Sequence, residues 1–315
     1  MPTRKAVSRW IVTGLALGVA IVFVAGYTDD IPLAELTRKY ATPGSRFVDV
    51  LGMRVHYRDE GDGPPLVLLH GTSSSLQTWD AWVDILRYDF RVVRLDLPGF
   101  GLTGPDPMRD YSIDRYIEFV DAFANAAGLG AFSVAGNSLG GQIAWHYALV
   151  YPERVQRLVL IDAAGHPERA AMNESLAFRL ARIPILNRFV TVLTPRSLIE
   201  KSVLEVYGED SKVTPELVDR YFDLVRRPGN RQAFVDRVRN IDRDPVRDPR
   251  GVVQPTLILW GGDDRWISVR DGQAFKADIP ASRLVVYPGV GHVPMEELPG
   301  PTARAAAAFL AAGIP

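Results

Sequence analysis

A mostly parallel β-sheet covered by helices on both faces is the fold class this sequence predicts, on three observations. From Arg46 onward, short apolar runs alternate with amphipathic helical stretches, the pattern of strands joined by crossover helices. The runs are apolar at successive positions, as expected of strands buried on both faces. One long segment without a strand interrupts the alternation and adds a helical insertion to the prediction.

The elements follow in order. Phe47-Val48-Asp49-Val50 and Met53-Arg54-Val55-His56-Tyr57 flank Gly52 and read as an antiparallel pair. Leu66-Val67-Leu68-Leu69 and Val92-Val93-Arg94-Leu95 are the first continuous runs. Ser112 then caps a helix with Ile113, Tyr116, Ile117, Val120, Phe123 and Ala124 on one face and Gly128 as its stop. Phe132-Ser133-Val134-Ala135, Leu158-Val159-Leu160-Ile161, Leu257-Ile258-Leu259-Trp260 and Leu284-Val285-Val286-Tyr287 repeat the strand theme, and an Ala-rich helix (Ala303 to Ala312) closes the chain. The interrupting segment, residues 166–251, contains Pro184, Pro195, Pro215 and Pro228 as breakers. Leaving from parallel strands, it is expected to sit over the carboxyl edge of the sheet, where ligands bind in open α/β sheets. It reads as a helical lid on a core formed by residues 45–165 and 252–315.

Composition narrows the function classes. The chain has 315 residues, 47% apolar and 23% charged, enough for a sizeable core. Net charge is −1 without a basic stripe, so no nucleic-acid partner is expected. No cysteine is present, which excludes disulfides, thiolate metal sites and a cysteine nucleophile. The amino end is unusual: Trp10 to Tyr27 carries no charge and follows Arg4, Lys5 and Arg9. At about 1.5 Å per residue it would span roughly 27 Å, a bilayer core. Residues 10–27 therefore read as a single-pass anchor with a cytoplasmic amino end, an exported catalytic domain and a stalk over residues 28–44. A cleaved signal peptide, for a secreted or periplasmic protein, is the alternative: the segment 1–27 contains the small-residue site Val24-Ala25-Gly26. A buried core helix is the third reading.

The chemistry centres on Gly136-Asn137-Ser138-Leu139-Gly140, between a strand and a helix. Such a pentad reads as a nucleophile elbow, whose glycines keep Cβ atoms out of a sharp turn and leave the serine hydroxyl exposed. Leu69-His70-Gly71-Thr72, Asp96-Leu97-Pro98-Gly99-Phe100-Gly101, Trp260-Gly261-Gly262-Asp263-Asp264-Arg265 and Gly291-His292 join it, each at a strand end. In that order, from about Phe47 to Leu310, these motifs resemble the α/β-hydrolase superfamily, and the insertion resembles that of lid-bearing serine esterases and lipases.

Ser138 is the candidate nucleophile, and a serine hydroxyl needs an adjacent base. Of five histidines, only His292 follows a strand, sits in a Gly-rich loop and lies beyond the acid in sequence. His70 reads as structural, His56 as a half-exposed sheet residue and His146 as too far along its helix to reach back to the elbow. His166 could line the pocket. The resemblance places the orienting acid at Asp264, with Asp162 and Asp263 as alternatives; its task is to fix the imidazole tautomer and stabilise the imidazolium. The backbone N–H groups of Thr72 and Leu139 are the expected oxyanion hole. Asn137 either braces the elbow or touches substrate, and Phe100 is a candidate pocket residue. No cofactor and no metal is needed.

The resulting expectation is a serine hydrolase that cleaves carboxylic esters with an apolar acyl group. The resemblance also admits carbon–carbon bond hydrolases of vinylogous diketones, which share a Gly-Asn-Ser elbow but typically carry a Trp after the histidine, where this chain has Val293. Cofactor-free haloperoxidases (perhydrolases), lactonases and thioesterases use the same triad. Ser138 removes the epoxide hydrolases and haloalkane dehalogenases of this fold, which use an aspartate there. A non-catalytic binding protein is the reading from another class, and a complete triad argues against it.

Overall fold

The computed structural model of the protein describes residues 26–168 and 175–312. Eight strands, β1 (Ser45–Val50), β2 (Met53–Glu60), β3 (Pro65–Leu69), β4 (Arg91–Leu95), β5 (Phe132–Asn137), β6 (Val155–Ile161), β7 (Thr256–Gly261) and β8 (Ser282–Tyr287), form one sheet. Their spatial order is β1-β2-β4-β3-β5-β6-β7-β8. The β1–β2 and β2–β4 pairs are antiparallel and the remaining neighbours parallel.

The continuous apolar runs have their cause in the two helical layers. Val67, Leu69, Val93, Leu95, Val134, Leu158, Leu160, Ile258 and Trp260 face one buried cluster. Leu66, Leu68, Val92, Ala135, Val159, Ile161, Leu257 and Leu259 face the other, because successive side chains leave a strand on opposite sides. α1 (Leu33–Tyr40) precedes the sheet, and α2 (Asp80–Leu86) lies on the second face with Trp82, Val83 and Leu86. α3 (Ile113–Ala126) and α4 (Leu139–Val150) cover the first face. Ser112 caps α3 by accepting the Arg115 N–H at 3.3 Å, and Gly128 takes φ +65° beyond its end.

Between β6 and β7 the chain leaves the sheet, and its described residues there form the α-helices α5 (Leu176–Arg182), α6 (Leu186–Val190), α7 (Arg196–Val206), α8 (Pro215–Val225) and α9 (Asn230–Asn240). α10 (Val269–Asp278) returns to the first face through Phe275. α11 (Pro294–Glu297) and α12 (Pro299–Ala311) complete the second, with Ala303, Ala306 and Leu310 packed beside α2.

The membrane anchor expected over residues 10–27 is not supported. Among the described residues, no helix is long and apolar enough to cross a membrane, and residues 10–25 lie outside the described ones. Tyr27, which hydropathy assigned to the span, forms an antiparallel bridge with Leu193. The membrane-anchored localisation is corrected with it. An uncharged run carries no information on whether its end is engaged by the protein body, and here it is. Thr28 N–H donates to the Val192 carbonyl at 3.2 Å and Ile31 N–H to the Arg226 carbonyl at 2.8 Å. Arg231 donates to the Thr28 carbonyl at 2.9 Å and pairs with Asp30 at 2.6 Å. Residues 28–44 hold α1, whose Leu36 is buried with Leu102 and Leu224.

Candidate active site

Ser138 stands at the β5–α4 junction with φ 54° and ψ −116°. Such a backbone costs about 1–3 kcal/mol outside glycine and persists only when its surroundings fix it. Here the Ser138 N–H donates to the Ile161 carbonyl at 3.0 Å, and its carbonyl accepts from the Gln142 and Ala164 N–H groups at 3.0 and 3.1 Å. The pentad's glycines are sterically required: a Cβ on Gly136 would strike the Gly140 carbonyl, and one on Gly140 the Leu69 carbonyl. Gly141 meets the same limit, since its Cβ would lie 2.6 Å from the Ala163 Cβ.

The loop after β8 carries His292, buried, with its N–H donated to the Val206 carbonyl at 2.7 Å. Its Nδ1 donates to Asp264 Oδ2 at 2.7 Å. Asp264, in the turn after β7, has a fully buried side chain whose Oδ1 accepts the N–H groups of Trp266 at 2.7 Å and Ile267 at 3.0 Å. Three donors fix an ionised carboxylate in place, and the carboxylate fixes the proton of His292 on Nδ1. The lone pair then sits on Nε2, which is buried without a hydrogen-bond partner among the described residues. His292 and Ser138 line the same cavity of about 150 Å³.

Asp162, at the end of β6, takes φ 43° and accepts the Gly261 N–H on Oδ1 at 2.9 Å; its Oδ2 has no partner among the described residues. Asp162, Asp264 and His292 bring one ligand-type atom each within 4.8 Å of one another. They are the described residues that could hold a cation, but His292 Nδ1 and both Asp264 oxygens are already committed to N–H···O bonds. Burial, and then the charge of Asp264, push the Asp162 carboxyl well above the ordinary carboxylate range.

Thr72 and Leu139 both line the cavity, and among the described residues neither backbone N–H has a backbone acceptor outside regular helices and strands. Asn137 donates its amide to the His292 carbonyl at 2.9 Å and the Ile161 carbonyl at 3.2 Å, tying the elbow to the histidine loop. Phe100 is not among the residues lining the large cavity; it borders a small neighbouring cleft and sets its ring 5.9 Å from that of His70. The excursion between β6 and β7 also lines the cavity, through Phe178, Leu198, Val203, Tyr221 and Phe234 among others.

The other histidines are occupied. His70 donates from Nδ1 to the Gly71 carbonyl at 2.7 Å and accepts the Leu97 N–H on Nε2 at 3.0 Å. His56 is buried rather than half-exposed, because its two ring nitrogens bridge Asp96 and Ser45, both at 2.8 Å. His146 receives Arg247 at 2.7 Å, and His166, away from the cavity lining, meets Asp278 at 3.2 Å.

Trp266, one of several aromatic residues that the sequence offers for a pocket wall, lines the cavity, while two acidic residues beyond His292 were missed by sequence reasoning. Trp266 sets its ring 5.6 Å from the imidazole. Glu297 accepts the N–H groups of Gly291 at 2.6 Å and Gly208 at 2.9 Å, bracing the histidine loop against the excursion. Glu296 gathers Thr78 Oγ1, Tyr207 OH at 2.7 Å, Arg220 at 3.2 Å and Tyr221 OH at 3.3 Å. The acidic pair just past the histidine was the available signal for the last two.

A sequence model of the alpha/beta hydrolase fold matches residues 64–299. The chain belongs to that family. This α/β hydrolase is 30% identical over 257 residues to a pimeloyl-(acyl-carrier protein) methyl ester esterase of Nitrosomonas europaea, over 78% of its own length and 95% of the relative's. It is 29% identical over 274 residues to a 2-hydroxy-6-oxo-6-(2'-aminophenyl)hexa-2,4-dienoic acid hydrolase of Metapseudomonas resinovorans, covering 84% and 90% of the two chains. Among solved structures it resembles a bacterial membrane phospholipase A with a TM-score of 0.73 and 28% identity, over 97% and 98% of the chains.

Proposed function

We propose that this α/β hydrolase is a serine hydrolase cleaving carboxylic esters with an apolar acyl part, through an acyl-enzyme on Ser138. The observation that carries the reading is the buried imidazole of His292, with Nδ1 committed to Asp264 and Nε2 free in the cavity that Ser138 also lines. His292 Nε2 takes the hydroxyl proton as Ser138 Oγ attacks the ester carbonyl carbon. The Thr72 and Leu139 N–H groups receive the oxyanion as the C=O electrons move onto oxygen. On collapse the C–O bond breaks, His292 returns the proton to the departing alcohol, and water repeats the sequence to release the acid. Residues 166–251 act as the lid, and their apolar lining residues receive the acyl chain.

The carbon–carbon hydrolase reading is supported by the relative from Metapseudomonas resinovorans and draws on the same residues. One experiment separates the two. Hydrolysis of p-nitrophenyl esters of rising acyl length is measured for the wild type and Ser138→Ala, beside a vinylogous diketone. Ester turnover that disappears in the variant, by at least about 10³-fold, is the expected result. Diketone cleavage without ester turnover would replace it. Absence of both turnover and fluorophosphonate labelling at Ser138 would reject the serine-hydrolase reading.

A further inference from the structure

We propose that Asp162 is a positioning residue for the catalytic acid, carried as the neutral carboxylic acid with its hydrogen directed at Asp264, so that the two carboxyl groups share one negative charge. Both are buried at adjacent strand ends, β6 and β7, with carboxyl oxygens within 4.8 Å of each other and of a His292 ring nitrogen. Two carboxylates that close cannot both be ionised out of water. Which one keeps the charge follows from the donors. Asp264 accepts three N–H groups, from His292, Trp266 and Ile267, whereas Asp162 accepts one, from Gly261. The orphaned Asp162 Oδ2 has no donor to receive among the described residues and therefore carries the hydrogen.

Glu297 on α11 is the other acidic group acting on Asp162, and with Asp264 it opposes a charge there. The backbone agrees with the choice of residue. Asp162 sits at φ 43°, where Asp and Asn are tolerated and most side chains are strained, and its N–H is held by the Leu259 carbonyl at 3.1 Å. For catalysis, a neutral donor beside Asp264 tempers the carboxylate that His292 leans on, and losing that donor would strengthen its pull on the imidazolium. That consequence rests on the serine-hydrolase reading; the protonation itself does not.

The test is Asp162→Asn, which preserves shape, the tolerance for positive φ and an N–H donor. With Asp162 neutral in the wild type, kcat/KM stays within about threefold and the acid limb of the pH–rate profile does not move. Were Asp162 ionised, removing its charge would shift that limb down by about one pH unit or more, and the proposal fails. Asp162→Ala, without the donor, should lower kcat with KM unchanged and raise the acid limb, with Asn rescuing both. Carboxyl ¹³C NMR of aspartate-labelled wild type decides independently of any variant. One aspartate resonance at the protonated position at pH 7 is expected, and its absence overturns the assignment. Failure of the wild type to turn over esters would reject the substrate reading alone, leaving that resonance to decide on Asp162.

Discussion

Glu296 is the point where the excursion is latched to the core, and its replacement can be worked out from the contacts. Its carboxylate accepts Tyr207, on the loop after α7, Arg220 and Tyr221 on α8, and Thr78 from the short 3₁₀ helix (Leu76–Trp79) before α2. Glu296→Gln keeps the shape and removes the charge. Hydrogen bonds to a charged group contribute about 1.5–3 kcal/mol each, and not additively. The Arg220–Glu296 pair is largely buried, with side chains 19% and 10% exposed. Breaking a fully buried pair from one side costs about 3–5 kcal/mol, and solvent at Arg220 reduces that. A loss of about 2–3 kcal/mol follows, and at roughly 2–4 °C per kcal/mol the midpoint of thermal unfolding falls by about 5–10 °C. Scanning fluorimetry measures the shift, and a double-mutant cycle with Arg220→Met isolates the pair. A midpoint within 2 °C of wild type, at roughly half a kcal/mol on that scale, would refute the latch.

Two further outcomes are expected. His146 is buried with a pKa pushed down to about 3 by burial and by the nearby Arg247 and Arg237 charges. Between that value and the ordinary 6.5 the unfolded chain binds a proton the folded one does not, so stability falls as pH drops, by up to about 1.4 kcal/mol per unit. His146→Gln should flatten that slope in urea titrations at pH 6 and pH 4.5, and an unchanged slope would count against it. Val203 on α7 lines the cavity, and Val203→Trp should shift the preferred acyl chain to shorter esters, with turnover of the shortest within about threefold; overpacking costs about 1–3 kcal/mol of stability. An unchanged length profile would place the acyl chain elsewhere.

Much of the sheet was legible because two-sided burial writes itself into consecutive apolar residues, as in Leu66 to Leu69 and Leu257 to Trp260. The elbow was legible for a steric reason, since Gly136 and Gly140 each face a backbone carbonyl that forbids a side chain. Ser138, Asp264 and His292 were named from motif order, and the structure brings them to one cavity wall and its buried margin. What stayed hidden depends on direction or distance. Phe100 was named for its ring, but residue type does not say which way a ring points. Asp162 meets Asp264 only across neighbouring strands, and Glu296 meets its partners only after the excursion folds back. The amino-terminal run misled because hydropathy measures composition, while the seam from Tyr27 to Ile31 is made by backbone hydrogen bonds and two arginines.

That seam also bears on the site. Residues 27–31 are held by the loop before α7 and by Arg226 and Arg231, so the amino end of the described chain is fastened to the excursion that lines the cavity before it reaches the sheet. Arg231 both lines the cavity and holds Thr28 and Asp30, so a single side chain separates the described amino end from the site.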